Sequence, residues 1–158
     1  MKYYIAYGSN LNVGQMEYRC PLASFVGTAT LKDWRLVFKG SGSGNYLTIE
    51  PCEGRSVPVA IWKVTSLDEK NLDRYEGFPH FYYKKDFRLN VTKVNHEREE
   101  LDCFAYIMAE DRKYGMPGQW YVQTCSEGYE DCGFDRRVLV RALNDTMKEL
   151  QNQERGWH

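Results

Sequence analysis

Two stretches hold side chains that could do chemistry. In Tyr3-Tyr4-Ile5-Ala6-Tyr7-Gly8-Ser9-Asn10-Leu11-Asn12, a short aromatic and aliphatic run breaks at once into Gly-Ser-Asn. Glycine lets the main chain approach a ligand closely, and the N–H groups that follow can point at an anion, so this loop suits a carboxylate or oxyanion cradle. The same residues would equally make an ordinary strand-to-helix turn. In Leu72-Asp73-Arg74-Tyr75-Glu76-Gly77-Phe78-Pro79, Glu76 falls at the expected last turn of a helix. There the negative end of the helix dipole disfavours a further negative charge, and partial burial among Tyr75, Phe78 and Phe81 acts in the same direction. A carboxylate raised towards neutrality can take and return a proton at physiological pH. Spacing alone also fits an exposed helix-end glutamate.

Other routes to catalysis lack their signatures. His80, His96 and His158 are far apart, and neither HExxH nor paired-cysteine spacing occurs, so a metal is not expected. None of Cys20, Cys52, Cys103, Cys125 and Cys132 has a recognisable nucleophile context. Ser9 stands in Tyr-Gly-Ser-Asn and not in the GxSxG elbow of a hydrolase.

The 158 residues suit one domain, taken as residues 1–158, with a real hydrophobic core. Lys plus Arg (21) nearly balance Asp plus Glu (22), which argues against nucleic acid or an anionic membrane as the partner and towards a small molecule. An odd cysteine count without CxxC, and no charged-then-apolar leader, predict a reducing, cytoplasmic setting. No run approaches the roughly 20 apolar residues of a membrane-spanning helix, so a soluble protein is expected. The twelve tyrosines could line a pocket, with an apolar body and a polar tip, or pack a core.

The elements that must position these residues follow in order. Asn12 can cap a short helix to about Arg19, ended by Cys20-Pro21. Residues 24–39 read as strand in two pieces around Lys32-Asp33, and Gly40-Ser41-Gly42-Ser43-Gly44-Asn45 as a solvated hairpin turn. Tyr46 to Glu50 and Val57 to Val64 read as two further strands. Ser66-Leu67-Asp68-Glu69 has the pattern of a capping box for a helix to about Glu76, stopped by Gly77 and Pro79. Phe81 to Val91 and Leu101 to Met108 read as strands joined by the charged segment 93–100, a solvated hairpin. Gly118 to Gly128 can form a helix, and Asp135 to about Glu154 another, with Leu139, Leu143, Met147 and Leu150 on one side. About six strands with helices between and after them predict an α+β domain with a strongly curved or β-barrel-like mixed sheet.

These residues together resemble the γ-glutamylcyclotransferase family and its close relatives. The resemblance rests on Tyr7-Gly8-Ser9-Asn10-Leu11, then Glu76-Gly77-x-Pro79 before an aromatic-rich strand. It continues through Pro117-Gly118-Gln119-Trp120-Tyr121 and Gly128, similar to the family's Pro-Ser-x-x-Tyr and following Gly, and spans roughly residues 3 to 134. It implies a barrel-like fold with a cavity at one end and no cofactor. It also implies that Glu76 is the catalytic acid/base and that Tyr7, Gly8, Ser9 and Asn10 hold the glutamyl part. Leu11 completes that motif by packing, while Tyr82 and Tyr121 would contact substrate. Gly118 departs from the pattern by standing where the family commonly has Ser, which puts a hydroxyl contact in doubt.

The implied reaction closes the γ-glutamyl group of an amine or amino acid into 5-oxoproline, with the substrate's own α-amine as nucleophile. A non-catalytic metabolite-binding module on the same fold is the rival reading. An interaction domain using Trp34, Trp62, Trp120 or Trp157, with Trp157-His158 mobile or docked on a partner, is a weaker one. The sequence leaves the oligomeric state and the leaving amine open.

Overall fold

The computed structural model describes residues 1–155, so Trp157 and His158 lie outside the described residues. Five strands close on themselves: β1 (Lys2–Ala6), β2 (Ser24–Ser41), β3 (Gly44–Val64), β4 (Tyr82–Lys93) and β5 (Arg98–Met108). Their order is β3-β1-β5-β4-β2, and β2 pairs back onto β3. A short β6 (Lys113–Tyr114) lies along β2. The pairings are antiparallel except β1 with β5, where Tyr3 faces Cys103 and Tyr4 faces Phe104. The result is the mixed, barrel-like α+β fold expected, with helices α1 (Val13–Arg19), α2 (Ser66–Glu76), α3 (Gln119–Cys132) and α4 (Arg137–Arg155) around it. Among the described residues no helix is long and apolar enough to cross a membrane.

The long β2–β3 hairpin corrects two expectations. Each strand is continuous where the sequence suggested two pieces, and the interruption is a bulge at which Trp34 pairs with Pro51 but Lys32 with Ser56. Asp33 takes the left-handed conformation (φ 67°) there, and its carboxylate accepts from Gly54 N at 3.0 Å. Asp tolerates that conformation better than most residues because its side chain bonds locally to the backbone. The bulge turns the strands and so helps the sheet to close.

Helix starts and faces also differ in detail. The capping box of α2 uses Thr65 and Asp68, one residue earlier than the Ser66–Glu69 pattern: Asp68 N donates to Thr65 Oγ1 and Thr65 N to Asp68 Oδ2, both at 3.1 Å. Asn12 caps α1 as expected, accepting from Gln15 N at 3.2 Å. α3 runs past Gly128 to Cys132, because Gly128 is a packing residue and not a stop. A Cβ there would lie 2.5 Å from Asn12 N and 2.7 Å from Leu11 C, so only glycine lets α3 settle onto the opening turn. On α4 the buried face is Leu139, Ala142, Asp145 and Thr146, while Met147 is exposed. Thr146 Oγ1 accepts from Phe38 N at 2.9 Å and Asp145 takes Arg55 at 2.7 Å, so polar contacts dock this helix beside the apolar ones.

The core runs through the barrel, from Ile5, Ala6 and Ile61 to Phe38, Ile49 and Ala105. Leu72 of α2 is fully buried against it. Burial of such a side chain contributes roughly 1.5–3 kcal/mol, enough to fix the position of α2 and its last residue.

Candidate active site

One end of the barrel holds a cavity of about 400 Å³. β1 stops at Ala6, and the chain then turns through Gly8 into a single 3-10 turn, Ser9–Leu11. Leu11 N donates to Gly8 O and Asn12 N to Ser9 O, both at 3.1 Å. The N–H groups of Ser9 and Asn10 open the turn and find no acceptor among the described residues, as expected for the first donors of a helical turn. Gly8 keeps this approach close: a Cβ would sit 3.2 Å from Tyr121 Oη and 3.5 Å from Leu47 Cβ, so Tyr121 would have to give by a few tenths of an ångström.

Glu76 reaches the same cavity from the end of α2. Gly77 takes the left-handed conformation (φ 65°), Gly77 N donates to Arg74 O at 3.3 Å and Phe78 N to Asp73 O at 2.9 Å, which ends the helix at Glu76. The Glu76 carboxylate makes no hydrogen bond or ion pair among the described residues. Burial raises its pKa to about 8, against a weaker lowering by the Arg19 guanidinium.

Tyrosines surround that carboxylate. Burial, and then the Glu76 charge, raise Tyr4, Tyr7 and Tyr82 well above the usual phenol range, so all three are neutral donors. Their protons are committed differently. Tyr7 donates to Tyr106 O and Tyr82 to Leu47 O (2.9 Å). Tyr4 accepts from Asn10 Nδ2 at 2.9 Å, which leaves it with its own proton to give, and Tyr121 accepts from Leu47 N at 3.1 Å while its hydroxyl also bonds to the Cys125 sulfur.

Of the residues expected from the sequence, Tyr7, Gly8, Ser9, Asn10, Glu76, Tyr82 and Tyr121 all line this cavity. Leu11, also named with the substrate-binding loop, does not: it is fully buried under α3. Three contributors had no distinguishing sequence signal. Tyr4 supplies a free phenol, Tyr75 meets Ser9 Oγ at 3.0 Å, and Arg19 stacks on Tyr75 at 3.3 Å while donating to Asn10 Oδ1. Arg19 thus ties the loop to α2. An alternation pattern marks Tyr4 only as a strand residue, and Arg19 only as a helix-end cation.

The arrangement offers a proton carrier, unpaired N–H donors and neutral phenols around one small space. Residues 4–123 match the family described as Gamma-glutamyl cyclotransferase, AIG2-like. The chain belongs to this family. It is 31% identical over 112 residues to a Gamma-glutamylcyclotransferase from Homo sapiens, a match covering 66% of this chain and 58% of that protein. A Mus musculus Gamma-glutamylcyclotransferase is 30% identical over 158 residues, covering 96% of this chain and 79% of its own. The chain therefore spans little more than half the length of the human relative it matches. A solved structure described as Gamma-glutamyl cyclotransferase superposes with a TM-score of 0.77 at 25% identity, over 89% of this chain and 85% of that one.

Proposed function

We propose that this chain converts a γ-glutamyl amine or γ-glutamyl amino acid into 5-oxoproline and the free amine, with Glu76 as the general acid/base. The observation that carries this reading is the Glu76 carboxylate: unpartnered among the described residues, raised to about 8, and in a cavity that Ser9 and Asn10, whose N–H groups are unpaired there, also line. A pKa near the working pH suits a group that must both take and return a proton.

In the reaction the substrate's α-nitrogen attacks its own side-chain carbonyl and forms the ring C–N bond, while the bond to the departing nitrogen breaks. The α-ammonium loses two protons and the departing nitrogen gains two, and Glu76 carries them in succession. No protein nucleophile is needed. The cavity's main task is to hold the glutamyl chain curled, because correct orientation supplies much of the barrier reduction in a ring closure. The Ser9 and Asn10 N–H groups and the free Tyr4 hydroxyl can receive the glutamyl carboxylate and the oxygen on which negative charge develops. Tyr7 and Tyr82, whose protons face backbone carbonyls, wall the site.

The test is 5-oxoproline release from a panel of γ-glutamyl compounds by the unmodified protein and by Glu76→Gln. The substitution keeps size and removes the proton carrier, so release is expected to fall by roughly 10²–10⁴-fold with the fold intact by circular dichroism. Near-normal turnover by Glu76→Gln would overturn the assignment. Binding without release by the unmodified protein would favour a metabolite-binding module instead.

A further inference from the structure

The cavity changes character from floor to mouth. Tyr4, Tyr7, Ser9 and Asn10 at its floor are buried, whereas Ser43 and Tyr46 at its mouth are exposed, Tyr46 to 38%. Between floor and mouth three rings from three separate segments make one wall: Tyr46 of β3, Phe81 just before β4, and Tyr121 of α3. Tyr46 meets Tyr121 edge-on at 5.1 Å and Phe81 edge-on at 6.4 Å, and Phe81 lies 5.3 Å from the buried Tyr82. Aromatic surface therefore runs unbroken from the floor to solvent.

Each ring is held from behind. Asn45, next to Tyr46, donates from Nδ2 to Met116 O at 3.1 Å and ties the hairpin to the segment leading into α3. The Arg112 guanidinium covers Phe81 at 4.7 Å, and Leu47 N holds the Tyr121 hydroxyl. The wall is prearranged, so a ligand placed on it loses little in ordering it.

The glutamyl end of the substrate is charged and belongs with the polar floor beside Glu76. The departing end must then point towards the mouth, along the rings. We infer that the Tyr46–Phe81–Tyr121 wall is the leaving-group subsite and that it selects γ-glutamyl compounds whose departing amine or amino acid carries an aromatic ring. This inference rests on the reading of Glu76 given above. A substrate ring continues the edge-to-face series and buries the open side of Tyr46, which a methyl group or an extended lysine chain does less well.

The experiment compares γ-glutamyl-phenylalanine, γ-glutamyl-alanine and Nε-(γ-glutamyl)-lysine. For the unmodified protein, kcat/KM for the phenylalanine compound is expected to exceed the other two by about tenfold. Tyr46→Ser, and separately Phe81→Leu, should bring that ratio to within about twofold of one. Equal values across the three compounds, or variants that scale all three alike, overturn the inference. Equilibrium binding in the Glu76→Gln background separates subsite from chemistry. There, a preference for the phenylalanine compound that Tyr46→Ser abolishes supports the subsite even if no 5-oxoproline is ever formed. Equal dissociation constants, or no binding of any of the three, overturn it.

Discussion

The two ends of α2 carry glutamates that share one helix yet are driven in opposite directions. Glu69, in the first turn, loses water, which on its own raises its pKa. Hydrogen bonds from Lys84 (2.6 Å) and Lys2 (3.1 Å) reverse that and hold it below the ordinary carboxylate range. Glu76, about two turns later, also loses water, but no cation among the described residues bonds to it, and it rises to about 8. Lys84 bridges Glu69 to Asp73 at 2.8 Å, and Asp73 in turn accepts from Tyr106 at 2.6 Å. The satisfied carboxylates therefore fix the helix to the barrel, and the unsatisfied one is left for proton transfer. Desolvation pushes upward at both ends and further at Glu76, the more deeply enclosed of the two, and the ammonium partners at Glu69 complete the contrast.

The strongest way to break this contrast is to neutralise each glutamate in turn. Glu76→Gln is expected to reduce turnover by roughly 10²–10⁴-fold without loss of stability at neutral pH. Glu69→Gln should cost about 1 kcal/mol in denaturant unfolding, since its ion pairs are partly exposed, and change turnover by no more than about threefold. If Glu69→Gln abolished 5-oxoproline release as completely as Glu76→Gln, the division between structural and chemical carboxylates would be wrong.

pH sharpens the same comparison through two opposite signs. Glu76 must begin as the carboxylate to take a proton, so kcat/KM should climb with pH and level off above about 8. Its contribution to stability runs the other way. The folded state holds the Glu76 proton where the unfolded chain, near 4.5, has released it. That contribution is fully present below about pH 4.5 and is lost as pH rises through about 8. Glu69, with a lowered folded pKa, contributes stability at neutral pH that is lost as pH falls through its folded value. Between pH 6 and pH 9 the unmodified protein should lose roughly 2–3 kcal/mol that Glu76→Gln retains. Parallel unfolding curves for the two proteins across that range would show that water in the cavity already solvates the Glu76 carboxylate.

The residues that end segments were the ones readable in advance. Gly8-Ser9-Asn10 after an apolar strand, and Gly77 with Pro79 after a helical run, locate both halves of the candidate site because each acts through its own backbone. Long-range packing left no such mark. Arg19 matters because α1 lies beside α2, which lets its guanidinium stack on Tyr75 and reach Asn10, and no local pattern encodes that meeting. The continuity of β2 and β3 was hidden because Asp33 and Gly54 look like turn residues, although they form a bulge within one ladder. The capping box was displaced by one position because Thr65 and Ser66 are both competent caps. α3 outruns its expected end at Gly128 because that glycine serves packing, which only the closeness of the Leu11–Asn12 backbone explains.

The smallest expected effect concerns a helix that lacks what the start of α2 has. α3 begins at Gly118 in extended backbone (φ −72°, ψ 153°) with no side-chain cap, where the first turn of α2 has the reciprocal Thr65–Asp68 pair. A Cβ at Gly118 meets nothing within 4 Å, and this residue is not part of the cavity lining. Gly118→Ser, the residue common at this place in the family, should therefore supply a cap and stabilise by a few tenths of a kcal/mol. That corresponds to about a 1 °C rise in Tm. KM for a γ-glutamyl substrate should stay within about twofold, because a hydroxyl turned towards the free N–H groups of α3 is turned away from the substrate. A fall in KM of tenfold or more would mean that the hydroxyl reaches the ligand, and that the start of α3, like the end of α2, serves the chemistry as well as the fold.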